Sequence, residues 1–113
     1  MPYLNRDQIL DLVNKKHIYS DKLINKNQVQ PASLDLTLSS KCFRIKASFI
    51  PNNISISKVI KELSLTKIDL NQNTFLEKNS IYLCELNEKL NLPKDIMGKS
   101  NPKSTTGRLD IFT

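Results

Sequence analysis

The residues with the clearest chemical potential lie near the C-terminal end. There Pro102-Lys103-Ser104-Thr105-Thr106-Gly107-Arg108 gathers two cations, three hydroxyls and one of only two glycines into one short stretch. Lysine and arginine supply charge-assisted hydrogen bonds, and arginine adds a bidentate fork. Hydroxyls and backbone N–H groups complete an oxygen-binding shell, and glycine lets the backbone approach closely or take a positive φ. Together these are the ingredients of a polyphosphate cradle. The same residue types also build ordinary surface loops, so composition leaves both readings open. The pattern is neither GxxxxGK[ST] nor GxGxxG.

A segment of this kind acts only if folded elements hold it. Asn5 with Gln8 three residues later marks a helix start, and Ile9, Leu10, Leu12 and Val13 follow at helical spacing, predicting a helix from about Arg6 to Lys16. His17 then falls at the end of that helix, as a charge partner for its dipole. Tyr19 to Gln30 is mostly polar and reads as a loop with at most a short extended piece. Pro31 ends it. From Ser33 the period changes to two, with Leu34, Leu36 and Leu38 on one face. After a Ser39-Ser40 turn, Phe43, Ile45 and Ala47 repeat the pattern.

Phe49-Ile50-Pro51-Asn52-Asn53 turns the chain, and Ile56, Val59, Ile60 and Leu63 predict a short amphipathic helix. Leu65 to Leu70 and Asn73 to Glu77 read as short strands. Ser80 to Leu86 is the most apolar strand and is expected at the centre of a sheet. A final strand is expected over Gly107 to Thr113, where the chain stops inside the pattern, as a shortened domain would. Short strands, few helices and polar turns make a mainly-β domain of sandwich or barrel type.

Composition narrows the function classes. The 113 residues suit at most one small domain, and 39% apolar with 25% charged residues is a globular composition. No apolar run is long enough for a membrane-spanning helix and no signal segment opens the chain, so the expectation is a cytoplasmic protein without a membrane partner. A net charge of +6 favours an anionic partner. The lysines are dispersed and the aromatics scattered, which favours nucleotides over nucleic acid. Cys42 and Cys84 read as buried free thiols, and one His without a CxxC pair does not make a zinc site.

Two strings carry a family resemblance. Gln30-Pro31-Ala32-Ser33-Leu34-Asp35-Leu36 resembles the QPAS-[IVL]-DL strand near the start of dCTP deaminases. Asn101-Pro102-Lys103-Ser104-Thr105-Thr106-Gly107-Arg108-Leu109 resembles their substrate-binding segment, whose usual core is [RK]-S-S-x-[AG]-R-L. Arg6-Asp7, Ala47-Ser48-Phe49-Ile50-Pro51 and Ile68-Asp69-Leu70 are similar to parts of the larger tandem bacterial members. The resemblance implies a dUTPase-like β-barrel of the β-clip type, mainly β with short helices, usually trimeric with active sites between subunits. It also implies dCTP as substrate with Mg2+ on its triphosphate and no zinc. In the implied reaction water replaces the 4-amino group, giving dUTP and ammonia.

By the same resemblance Lys103, Ser104 and Thr105 contact the triphosphate, with Thr106 and Gly107 in the substrate-binding segment, while Arg108 supports the site around the cytosine. Asp35 is expected at a strand surface, in a structural role or touching ligand. Thr37 and Ser39 depart from the arginine and glycine that the family often has there. The family's catalytic glutamate follows the arginine-leucine pair at a distance, and no glutamate follows Arg108 here. Residues 1–113 are therefore expected to be the N-terminal part of one such domain, incomplete at its C-terminal end. It would bind the triphosphate without deaminating alone, acting as a homotrimer or completed by a C-terminal domain. The alternatives are a non-catalytic nucleotide-binding or assembly module and a dUTP diphosphatase.

Overall fold

The computed structural model describes residues 2–113, which divide into two compact units, 2–36 with 88–113, and 37–87. The first unit opens on α1 (Arg6–Asn14). Asn5 caps it through a reciprocal box, in which the Gln8 N–H donates to Asn5 Oδ1 and the Asn5 N–H to Gln8 Oε1, both at 2.9 Å. Ile9 and Leu12 turn inward from α1 and, with Ile18 and Val29, form this unit's small core.

The end of α1 is a Schellman closure. The His17 N–H donates to the Leu12 carbonyl and the Lys16 N–H to the Val13 carbonyl, with Lys16 in the left-handed region at φ 60°. His17 therefore lies beyond the helix. Its ring Nδ1 sits 3.2 Å from the Asn91 carbonyl oxygen, so the helix-dipole role expected for it is not what the fold uses. β1 (Ile18–Ser20) follows and pairs antiparallel with β5 (Glu88–Leu90), joining the two stretches of chain that make up this unit. Glu88 is buried on β5 and accepts a 2.8 Å hydrogen bond from Gln28 Nε2.

The polar stretch before Pro31 is better ordered than its composition suggests. Asn25 and Gln28 repeat the Asn5/Gln8 capping box around a 3-10 turn, Lys26–Gln28. The QPASLDL string is a tight hairpin, not a strand: the Gln30 N–H donates to the Ser33 carbonyl at 2.8 Å, and Val29 bridges Leu34. Leu34 is half-buried at this bridge, whereas Leu36 and Leu38 are exposed and no layer among the described residues covers them.

The second unit is a three-stranded antiparallel sheet, in the order β3-β2-β4, with one helix. β2 (Leu38–Ile45) continues through Ser39-Ser40, where a turn was expected, with a shift of register against the neighbouring strand there, and takes the centre. β4 (Ile81–Leu86) is apolar as anticipated but lies at an edge; β2 is central because it alone pairs on both sides. α2 (Ile56–Leu63), capped by the Ser55 hydroxyl, leads into β3 (Ser64–Asp69), both close to their expected spans. Asn73 to Glu77 forms no strand. Phe75 is 91% exposed there, so the alternation buries nothing, and the Glu77 N–H donates to the Tyr82 hydroxyl instead of a ladder.

Cys42 and Ile45 are the buried residues of this unit. Both cysteines are free thiols as expected, although Cys84 is only half-buried. Among the described residues no helix is long and apolar enough to cross a membrane.

Lysine at Lys16 holds a left-handed backbone that glycine adopts without steric cost. Lys16→Gly is expected to raise unfolding stability by about 1 kcal/mol in urea titrations of the purified protein. A decrease would show that the lysine side chain contributes more than its backbone costs.

Candidate functional site

The expected strand over Gly107 to Thr113 is absent. The backbone there winds into a single turn, α3 (Ser104–Gly107), entered from Lys103 in an extended conformation. The Gly107 N–H donates to the Lys103 carbonyl at 2.9 Å and the Arg108 N–H to the Ser104 carbonyl at 3.0 Å. A second Schellman pair then stops the winding, with the Asp110 N–H on the Gly107 carbonyl, the Ile111 N–H on that of Thr106, and Asp110 at φ 58°. Leu109 and Ile111 alternate in sequence with Arg108, Asp110 and Phe112 but lie exposed, and among the described residues no strand pairs with this stretch. Ser104 and Arg108, four residues apart on this turn, share a face.

Gly107 does not use the positive φ open to glycine, and a Cβ there would meet nothing within 4 Å. Gly98 is likewise open, with Leu92 Cδ1 at 3.9 Å in ordinary contact.

Lys103 is the best-placed residue of the set. Its Nζ lies 3.0 Å from Asp35 Oδ2, and the same oxygen accepts from Gln30 Nε2 at 3.1 Å. Asp35 is therefore not a strand-surface residue. It stands at the base of the hairpin, where its N–H donates to the Gln28 carbonyl at 2.8 Å and its carbonyl accepts from Gln28 Nε2 at 3.0 Å. Arg6 secures the other side of the hairpin, donating from Nη1 to the Val29 carbonyl and from Nη2 to the Lys26 carbonyl. The Lys103 ammonium, helped by Gln30 against the opposing effect of burial, holds the Asp35 carboxyl below its ordinary value of 3.8. Thus two strings 68 positions apart in sequence meet through one ion pair.

Comparison with known proteins decides the family. The description "2'-deoxycytidine 5'-triphosphate deaminase (DCD) N-terminal domain" matches residues 2–113. The chain belongs to this family. Its fold resembles the crystal structure of 2'-deoxycytidine 5'-triphosphate deaminase from Agrobacterium tumefaciens, at a TM-score of 0.89 and 41% identity over 96% of this chain and 33% of that one. A dCTP deaminase of Buchnera aphidicola is 28% identical over 92% of this chain and 58% of its own length. A probable deoxyuridine 5'-triphosphate nucleotidohydrolase of Archaeoglobus fulgidus is 29% identical over 93% of this chain and 60% of its own. The chain thus spans less than two thirds of each of these relatives. The expected dUTPase-like, mainly-β fold with short helices is the one observed.

Within the family segment, Lys103, Ser104, Thr105, Gly107 and Arg108 are exposed and Thr106 is half-buried. Among the described residues Arg108 makes no side-chain hydrogen bond or ion pair, so its five donors are open to solvent. One surface depression is lined by Leu4, Asn5, Asp7, Gln8, Asp11, Leu12 and Ile96 and includes none of the segment. It is shallow and lacks convergent cations, so chemistry favours the segment over shape alone. Gln30, which steadies the Asp35 carboxylate, is a contributor that residue typing did not identify. The only sequence signal for it was its place at the head of the QPAS string.

Two predictions test this geometry. Asp35 has a depressed folded pKa, so its contribution is present in full above 3.8 and fades as pH falls through the lower folded value. Asp35→Asn should therefore cost about 1 kcal/mol or less near neutrality, because Lys103 is largely exposed, and the difference from wild type should shrink in urea titrations below about pH 4. A difference that grows with acid would contradict the ion pair. Gly107→Ala should leave circular dichroism unchanged and stabilise the turn by about 0.5–1 kcal/mol. A large loss would show that the backbone needs glycine after all.

Proposed function

We propose that this chain supplies the triphosphate-binding segment of a dCTP deaminase: Lys103, Ser104 and Thr105 contact the triphosphate, Thr106 and Gly107 shape the segment, and Arg108 supports the site around the cytosine. The observation that carries this reading is the Lys103–Asp35 contact, which joins the two strings that the family resemblance rests on. Serine and threonine hydroxyls beside an ammonium and a guanidinium suit an anionic, oxygen-rich ligand. Lysine takes the role as a point charge and arginine as a fork.

Deamination of dCTP is hydrolysis of a C–N bond in a cyclic amidine. Water adds at C4 of the cytosine and ammonia leaves, so a base must accept the water's proton and fixed donors must hold the developing charge. Several acids have partners of their own. Glu77 pairs with Arg44 at 3.0 Å, Glu85 with Lys41 at 3.7 Å, Glu88 accepts from Gln28, and Asp35 holds Lys103. Residues 109–113 contain no glutamate. This reading assigns no catalytic residue to the 113 residues. The segment works as the N-terminal part of one domain, within a homotrimer or together with a C-terminal domain.

Among the described residues no three His, Cys, Asp or Glu side chains gather into a group that could hold a metal. Such donors do not fit a protein-held ion. In this reading Mg2+ travels with the triphosphate oxygens, and no step is assigned to it.

Titration with dCTP and Mg2+ tests the proposal. The protein should bind saturably, and Lys103→Ala and Arg108→Ala should each weaken binding about ten-fold or more, as expected for a lost charge-assisted bond. Absence of binding would refute it and favour a non-catalytic assembly module. The likeness to the Archaeoglobus nucleotidohydrolase gives dUTP hydrolysis specific support as a second reading. In a longer form of the protein, release of dUMP and pyrophosphate in place of ammonia would select it.

A further inference from the structure

β2 and β4 set Cys42 directly opposite Cys84, with the two Sγ atoms 3.3 Å apart. Opposed residues of an antiparallel pair have Cα atoms about 4.5–5.5 Å apart, inside the range of roughly 4.4–6.8 Å that disulfides span. The pair closes a regular run of rungs: Phe43–Leu83, Arg44–Tyr82 and Ile45–Ile81 continue on one side, while the register shifts between Leu38 and Cys42 on the other. A shift beside the pair gives the backbone local freedom to draw two sulfurs together. The two thiols are unequal. Cys42 is fully buried, whereas Cys84 is half-buried on an edge strand.

We propose that Cys42 and Cys84 form a thiol modification site in which Cys84 reacts with a low-molecular-weight disulfide and Cys42 resolves the adduct into an internal disulfide. In the first step the Cys84 thiolate attacks one sulfur of the small disulfide. A new S–S bond forms, the old one breaks, and one small thiolate leaves. In the second step Cys42 sulfur attacks the Cys84 sulfur and expels the second small thiolate. Two protein thiols are oxidised, one small disulfide is reduced to two thiols, and the two protons lost by the cysteines end on the departing thiolates. Burial, reinforced by the neighbouring Cys84, pushes the Cys42 thiol up to about 12, which suits a group shielded from dissolved oxidant. Its sulfur gains reach from proximity, since the adduct forms on the atom already beside it. The bridge would close a loop spanning 42 positions, fastening the central strand to β4 around α2 and β3.

The test exposes the native purified protein to oxidised glutathione, then quenches, denatures and measures intact mass, free thiols and linked peptides. Expected is a species two hydrogens lighter with no free thiol, a Cys42–Cys84 linked peptide, return to the dithiol with a dithiol reductant, and a melting temperature higher by on the order of 10 °C. Cys42→Ala should halt at a mixed disulfide on Cys84, and Cys84→Ala should stay unmodified. The proposal is overturned if wild type keeps both thiols free while the unfolded protein reacts. It is also overturned if wild type accumulates the Cys84 adduct or links two chains. The wild-type result stands even if a variant folds poorly.

Discussion

In the first unit the decisive constraint is the satisfaction of backbone groups between Asn25 and Asp35. That stretch pairs with itself only through a few backbone bonds, Gln30 to Ser33 and Asp35 to Gln28 across the hairpin and Val29 to Lys26 in the 3-10 turn, and it must still keep Val29 buried at 1% exposure. Side chains complete the pairing. Asn25 and Gln28 cap the 3-10 turn, Gln30 Nε2 reaches the Asn27 carbonyl, and Arg6 binds the Lys26 and Val29 carbonyls. A buried carbonyl such as that of Val29 would cost about 1–3 kcal/mol if left unpaired, so the Arg6 guanidinium fixes the hairpin there, while the exposed amide bonds fix its shape. Asp35 inherits its position from them, and Lys103 in turn takes its position from Asp35.

Where the sequence was legible, a local signal and the final packing agreed. The Asn5/Gln8 spacing with Ile9 and Leu12 specified α1, and Ile56, Val59, Ile60 and Leu63 specified α2, because caps and helical faces are decided within a few residues. β3 and β4 were legible for a similar reason: β-rich apolar runs bounded by polar turns. Alternation misled where the apolar face had nothing to cover it, as at Leu36 and Leu38, at Phe75, and at Leu109 and Ile111. Period two states which residues could share a face, not whether another layer meets that face. The Asn25/Gln28 box was readable in principle, being the same Asn-x-x-Gln spacing that marks α1, but no helical run follows it.

The candidate site was legible in residue type and not in geometry. Composition and the motif pointed to Lys103 and Arg108, yet the partner of Lys103 lies 68 positions away and is fixed by the fold. The cysteines show the same limit. Their separation of 42 positions carried no hint of contact, because strand register, not spacing, brings them to 3.3 Å. Long-range juxtaposition depends on topology, which one chain's local patterns do not encode strongly.

Lysine at position 103, where the family also uses arginine, has a physical consequence for a segment that reads as triphosphate-binding. An ammonium meets one carboxylate oxygen as a compact, strongly hydrated point charge, whereas a guanidinium would engage both oxygens through its fork. The observed contact is single, to Asp35 Oδ2, and the Lys103 side chain remains 63% exposed. Such a pair contributes on the order of 1 kcal/mol or less, against roughly 1.5–3 kcal/mol for a hydrogen bond to a charged group in a partly dry site. The carboxylate is then strong enough to orient the ammonium and too weak to withhold it from a polyphosphate. Arg108, without a partner among the described residues, faces no such competition. The two cations would therefore meet an anion differently, one transferred from a carboxylate and the other directly from solvent.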